Sequence, residues 1–384
     1  MPLDASPSHA ALRFALTDDQ QQLYDSASRF VNDHYPYEAW RRLAGSGSGF
    51  SREYWLRMAE MGWTALALPE EYGGVGMGAR ERLVLMEVLG RGMVLEPYWS
   101  TAVLGAEIVR RVGNDVQQAD LLPRIARGEL QIAFAEAEDG ARWDSGRLSC
   151  TVDKDADVYR ISGRKIAVLD APSANMLLVL APCGKNGLSV FIVGTDADGL
   201  HHRSFPTVDS RRCADLVFDR VAAQACLGEE GAASEGVELA KDHATVALCG
   251  EALGVMSVLL ESTIEYLKVR RQFGRPLSEF QVLRHRIVDM FIASEQARSL
   301  AIVAAESLEA APRERRRAVS AAKWQCGAAG RLVGESALQL HGGIGMTDEL
   351  PIGHYVKRLM AIDVLLGNTD FHLQRFMANA EREE

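Results

Sequence analysis

The sequence predicts a multi-domain α+β fold in three parts: a helical domain over 1–128, a β-barrel or sandwich domain over 129–228, and a second helical domain over 229–384. Two changes of pattern carry this reading. Near residue 130 a helical succession gives way to short Val-, Ile- and Leu-rich runs broken by Gly, Pro, Asp and Asn. After about Gly228 apolar residues recur every three to four positions, the period of a helix with one buried face. A length of 384 residues agrees with this division, because a domain usually takes roughly 100 to 200 residues.

The N-terminal helices begin at Thr17, where Thr17-Asp18-Asp19-Gln20 has the form of a capping box. Glycine clusters at 45–49 and 73–78 divide them, the second following a strand-like Thr64–Pro69. The GGVG of that cluster is turn chemistry, since neither a GK[ST] ending nor a GxGxxG between strand and helix follows it. Expected strands are 131–136, 148–153, 158–162, 165–169, 176–181, 188–193 and 214–218, with connections too short for crossover helices. Three long helices are expected beyond them, over 246–267, 283–308 and 322–340.

A formal charge of -10 argues against a nucleic-acid partner, and the basic runs Arg211-Arg212 and Arg315-Arg316-Arg317 are short. No run of 18 apolar residues and no basic-then-apolar leader is present, so a cytoplasmic chain without a membrane partner is expected. Six cysteines stand far apart without a CxxC pair, which predicts buried free thiols. The pair His201-His202 would point to opposite faces of a strand, and no metal site is expected.

Two segments carry candidate chemistry. Tyr266–Gln281 ends one bundle helix and starts the next through Gly274 and Pro276, leaving Arg270 and Gln272, a fixed cation and an amide suited to a pyrophosphate, beside Phe273. Gln339–Pro351 closes the third helix with Gly342, Gly343 and Gly345, which let a backbone approach a ligand closely. The order and spacing of these RxxFG and QxxGGxG segments, with the stretch MGWTALALPEEYGG and the sheet-then-bundle layout, resemble the acyl-CoA dehydrogenase family over nearly the whole chain.

That resemblance implies a C-terminal four-helix bundle, FAD as cofactor, and an acyl-CoA thioester as substrate. It implies that Arg270, Gln272, Phe273, Gln339, Gly342 and Gly343 reach across a subunit interface to the ADP half of a neighbour's FAD. The family reaction needs a carboxylate base, and its two family positions fall on Asn368 and Ala244, neither of which can serve. Asp370 is the candidate displaced base, with Asp242 likewise two residues away from a family position. The flavin-facing strand reads Phe134-Ala135-Glu136 without hydroxyl donors, and Ala167 and Leu169 stand where a Trp-x-Thr pair is common. Losses confined to one half-site resemble the small subunits of two-component dehydrogenases acting on steroid side chains or dicarboxylyl groups. The partners implied are a homologous subunit and an electron acceptor; the alternatives are a self-sufficient homotetramer and a flavin-free scaffold.

Overall fold

The computed structural model describes residues 16–155, 158–183 and 187–380. The first part is helical: α1 Asp18–His34, α2 Tyr37–Ala44, α3 Arg52–Glu60, α4 Ala79–Arg91, α5 Ala106–Val112 and α6 Asp115–Ala126. The α1 capping box forms, with Thr17 Oγ1 accepting from Gln20 N and Gln20 Oε1 accepting from Thr17 N. Residues 64–69 are not a strand, contrary to the sequence expectation. Ala65, Leu66 and Leu68 donate three residues back, to Gly62, Trp63 and Ala65 carbonyls, so the segment spends its backbone groups on successive turns and is buried as such.

The middle part is a sandwich of two four-stranded sheets. One sheet holds β1 (Ile132–Ala135), β4 (Met176–Cys183), β5 (Gly187–Gly194) and β8 (Ala225–Leu227) in the order β1-β4-β5-β8. The other holds β2 (Thr151–Asp155), β3 (Val158–Leu169), β6 (Leu200–Pro206) and β7 (Arg212–Ala222) in the order β2-β3-β7-β6. β1 and β4 pair in parallel, the connection between them being the β2-β3 hairpin of the opposite sheet rather than a helix. The two runs expected at 158–162 and 165–169 are one strand, bent by register shifts between Ile161 and Gly163 and between Lys165 and Val168. β6 escapes an apolar-pattern reading because its outer-edge residues His201, His202 and Arg203 are all exposed.

The last part consists of α7 (Ala233–Val269), α8 (Gln281–Glu306), α9 (Pro312–His341), α10 (Ile352–Val364) and α11 (Thr369–Ala380). α7 is apolar and long enough to cross a membrane, yet 83% of its most apolar stretch is buried inside this fold, which makes it the core helix. It crosses α4 with almost no side chain between the backbones: a Cβ on Gly254 would lie 1.9 Å from the Glu87 carbonyl oxygen, and one on Gly90 2.2 Å from that of Glu251.

A buried ion network ties the three parts together. Arg358 of α10 donates to both oxygens of Glu251 on α7 (2.7 and 2.7 Å) and to Asp209 (2.6 Å), and Arg211 adds Glu251 (3.1 Å) and the Val94 carbonyl (2.8 Å). Burial alone would raise the Glu251 and Asp209 carboxyls, but the two arginines overcome it and hold both below the ordinary carboxylate range.

Candidate functional site

Two regions matter for function: a cleft between the sandwich and α7–α11, and the far end of the bundle. The cleft encloses about 250 Å³ and is lined by Trp143, Leu180, Val237, Lys241, Asp242 and Phe371 among others. Its floor is one stripe of α7, with Ser234, Val237, Glu238, Lys241 and Thr245 at helical spacing.

Ala244 lies about 20° around the helix from Val237, yet it is not among the residues lining the cleft. It is fully buried, and its carbonyl accepts the Trp99 indole N–H at 2.9 Å. The family position that falls on Ala244 is therefore fully buried as well as lacking a carboxylate. Asn368 caps α11, its Oδ1 accepting from Phe371 N at 3.0 Å.

Asp370 lies exposed in the first turn of α11 and is not among the residues lining the cleft, which corrects its candidacy as a displaced base. The carboxylates that do line the cleft are committed to arginines. Asp242 takes Arg375 (2.7 Å) and Arg315 (2.9 Å), and Glu238 takes Arg375 (3.2 Å) and Arg316. Burial, then Lys323 and Arg375, push the His372 imidazole down to about 3, so it lines the cleft as a neutral ring.

The upper wall is closed by side chains that sequence reading did not assign a role. Trp143 donates its indole N–H to the Val364 carbonyl (3.0 Å) and lies 5.6 Å from the Phe371 ring, spanning from the sandwich to the α10–α11 turn. Lys241 and Glu136 form a 2.7 Å ion pair across the same gap, and Ser145 donates to Glu136 at 2.6 Å. Lys241 belongs to the α7 stripe that lines the cleft. On β3 Ala167 occupies a left-handed bulge (φ 48°) and donates its N–H to Asp215 (3.1 Å), and positions 167 and 169 carry neither an aromatic nor a hydroxyl group.

The bundle end is built differently. α7 stops at Arg270, and β9 (Arg271–Gln272) turns through Phe273-Gly274 into β10 (Arg275–Pro276). Both turn residues have positive φ, 51° and 81°, as a two-residue hairpin loop of this hand requires. Glycine takes this conformation freely; phenylalanine takes it at a cost of about 1 kcal/mol or more. Phe273 is also 88% exposed, and its ring meets that of Phe280 edge-on with centroids 6.1 Å apart.

Tyr266, on the last turn of α7, stacks on His341 at the end of α9 (centroids 4.5 Å apart, planes 26° apart), which brings the second glycine segment beside the first. Arg270, Gln272, Gln339, Gly342 and Gly343 are all exposed there. Gly342 has φ 68° and ψ -148°, a backbone conformation restricted to glycine, whereas a Cβ on Gly343 would meet nothing within 4 Å. No contact within the chain requires glycine at 343, and its backbone stands open to a ligand approaching from outside. Cation, amide and open glycine backbone suit the pyrophosphate and adenosine end of FAD.

Comparison with known proteins bears on the fold along nearly the whole chain. The acyl-CoA dehydrogenase N-terminal, middle and C-terminal domain models match residues 17–129, 133–221 and 237–380. Acryloyl-CoA reductase (NADH) of Anaerotignum propionicum is 27% identical over 94% of this chain and 93% of its own, and mitochondrial isovaleryl-CoA dehydrogenase of Pongo abelii is 24% identical over 92% and 87%. Among solved structures, a variant of the Tcur3481–Tcur3483 steroid ACAD superposes with a TM-score of 0.85 at 33% identity, covering 94% of this chain and 97% of the other. The ChsE4–ChsE5 complex from Mycobacterium tuberculosis gives a TM-score of 0.88 at 24% identity over 97% and 99%, a likeness of fold. The chain belongs to the acyl-CoA dehydrogenase family, FAD-binding oxidoreductases that act on CH–CH bonds.

Proposed function

We propose that this chain is the FAD-tail-binding subunit of a heteromeric acyl-CoA dehydrogenase, with a homologous partner chain supplying the flavin-ring pocket and the base. The observation that supports the reading is a contrast within one molecule: Trp143 and the Lys241–Glu136 pair bridge the cleft, while a strained, exposed Phe273 hairpin stands out at the other end. Strain and exposure of an aromatic ring are retained where a partner offsets them.

The reaction removes the α-proton of an acyl thioester with a carboxylate, and bound FAD serves as hydride acceptor for the β-hydrogen. This chain's cleft carboxylates are neutralised by Arg315, Arg316 and Arg375, and its one cleft imidazole is buried at the α11 end, so the proton goes to a group of the partner. Its own contribution is to hold the cofactor's nucleotide end: Arg270 neutralises the pyrophosphate, Gln272 and Gln339 supply amide hydrogen bonds, and Gly342 and Gly343 admit the ligand to their backbone. Likeness to the Tcur3481–Tcur3483 steroid ACAD supports a bulky acyl group such as a steroid side chain. An electron acceptor then reoxidises the flavin.

The test is purification of the chain alone and together with a co-expressed homologous subunit, followed by a visible flavin spectrum and an acyl-CoA oxidation assay. Colourless, inactive protein alone and a yellow, active heteromer together are expected. A flavin-loaded homo-oligomer that oxidises acyl-CoA overturns the proposal.

A further inference from the structure

The glycine segment that closes α9 has little buried surface of its own. Residues 342, 343 and 346–349 are exposed, and Thr347 closes the turn after Met346 by donating its N–H and its hydroxyl to the Ile344 carbonyl (3.2 and 2.9 Å). A segment with so few buried contacts keeps one conformation only where groups outside it hold it. Two ties do so, one at each end. At the start, His341 stacks on Tyr266 and donates from Nδ1 to the Ala337 carbonyl at 2.8 Å. At the far end Asp348 is reached from two directions: the Tyr37 hydroxyl of α2 donates to its carbonyl at 3.1 Å, and His354 Nε2 of α10 stands 3.3 Å from its carboxylate. Among the described residues, the Tyr37 bond is the one hydrogen bond between residues 342–350 and the N-terminal helices.

Tyr37 is itself held in place. Its ring runs nearly parallel to that of Trp40 (centroids 6.2 Å apart, planes 14° apart), and the His354 ring lies 4.8 Å from Trp40 and 6.0 Å from Tyr37. Trp40 is buried and donates its indole N–H to the Met93 carbonyl at 3.0 Å, which anchors the three rings to the body of the N-terminal part. His354 Nδ1 is buried without a partner, so the imidazole proton sits on Nε2, where the Asp348 carboxylate accepts it. That carboxylate is mostly exposed, and a contact of this kind contributes little by itself. The bond from Tyr37 to the carbonyl is the one that fixes the backbone.

We infer that Tyr37 is a positioning residue for the cofactor: its hydroxyl holds the Asp348 backbone so that Gly342 and Gly343 are set in place for the ADP end of FAD. The inference rests on the FAD-tail reading above. Tyr37 and Asp348 stand 311 residues apart in the chain, so no pattern within either bundle-end segment includes this tyrosine. A loop fixed before the ligand arrives loses less conformational freedom on binding, and the smaller loss is read as tighter retention.

The experiment compares wild type, Tyr37→Phe, Asp348→Ala and Arg270→Ala. FAD affinity is measured in the heteromer with the co-expressed homologous subunit, and amide hydrogen exchange over residues 342–350 in the purified full chain. Phenylalanine keeps the ring and removes only the hydroxyl, so the melting temperature of Tyr37→Phe should stay within about a degree. The expected result is faster exchange in that segment and an FAD dissociation constant raised about three- to tenfold, the effect of one hydrogen bond. Asp348→Ala keeps the carbonyl that Tyr37 reaches, and should leave both readings within about twofold of wild type. Arg270→Ala should weaken FAD binding without changing the exchange. Unchanged affinity in Tyr37→Phe beside a loss in Arg270→Ala overturns the inference and leaves the FAD-tail reading standing. Unchanged affinity in both variants overturns that reading and the inference with it. Weaker FAD binding in Tyr37→Phe without faster exchange overturns the inference too, since the hydroxyl then acts elsewhere than on the loop.

Discussion

Ala244 shows how completely one residue can remove a chemical role. A Glu there would put a carboxylate into a site with no exposure, packed for a methyl group. Ala244→Glu is expected to destabilise the chain by more than ~3 kcal/mol and to create no dehydrogenase activity, measured by chemical denaturation and an acyl-CoA oxidation assay. An active, stable variant would show that the cleft is usable after all. Arg270 has the converse character, since its guanidinium is exposed and makes no ion pair among the described residues. Arg270→Ala should leave the melting temperature within about a degree, because exposed positions of this kind change stability by less than ~0.5 kcal/mol. Flavin content of the reconstituted heteromer should fall several-fold. Both positions were legible in the sequence, because one is a missing carboxylate at a counted place and the other a charge in a motif.

At the scale of elements the β9–β10 hairpin is the clearest compromise. Its two loop residues need positive φ, which Asn-Gly satisfies better than Phe-Gly. Phe273→Asn is expected to stabilise the isolated chain by up to ~1 kcal/mol while weakening assembly and flavin retention in the heteromer, a trade measurable by thermal denaturation and by flavin release on dilution. Residues 64–69 went the other way: alternating apolar residues suggested a strand, but Val75 and Met77 donate to the Ala65 and Leu66 carbonyls and fold the segment onto its own loop. Local pattern could not distinguish these outcomes, because both bury the same side chains and differ only in where the backbone hydrogen bonds go.

For the molecule as a whole, the Arg358 network decides how the three parts sit together. Arg358→Met leaves Glu251 and Asp209 as buried carboxylates sharing Arg211, and a loss of about 3–5 kcal/mol is expected by denaturant titration. Buried histidines set the response to acid. His372 is held neutral down to about 3, and burial shifts His243, His341 and His354 downward as well. The unfolded chain takes up these protons below about pH 6.5 while the fold does not. Stability from these groups is therefore complete above about pH 6.5 and is lost as pH falls toward the folded values. The melting temperature should drop by several degrees between about pH 7 and 5, and His372→Gln, which has no proton to gain, should show a shallower decline.

The sequence alone determined the order of helical, sheet and helical parts, the long bundle helices and the two segments at the bundle end, because periodicity, glycine placement and local charge are properties of neighbours in the chain. It also showed that Asn368 and Ala244 are not bases. Only the tertiary structure decided that Ala244 is fully buried with its carbonyl taking the Trp99 indole, that Asp370 is exposed while Asp242 is held by Arg315 and Arg375, and that Trp143 reaches across to Val364. Those facts depend on the rotation of α7 and on groups brought together from distant stretches of the chain, and no local pattern encodes such a meeting.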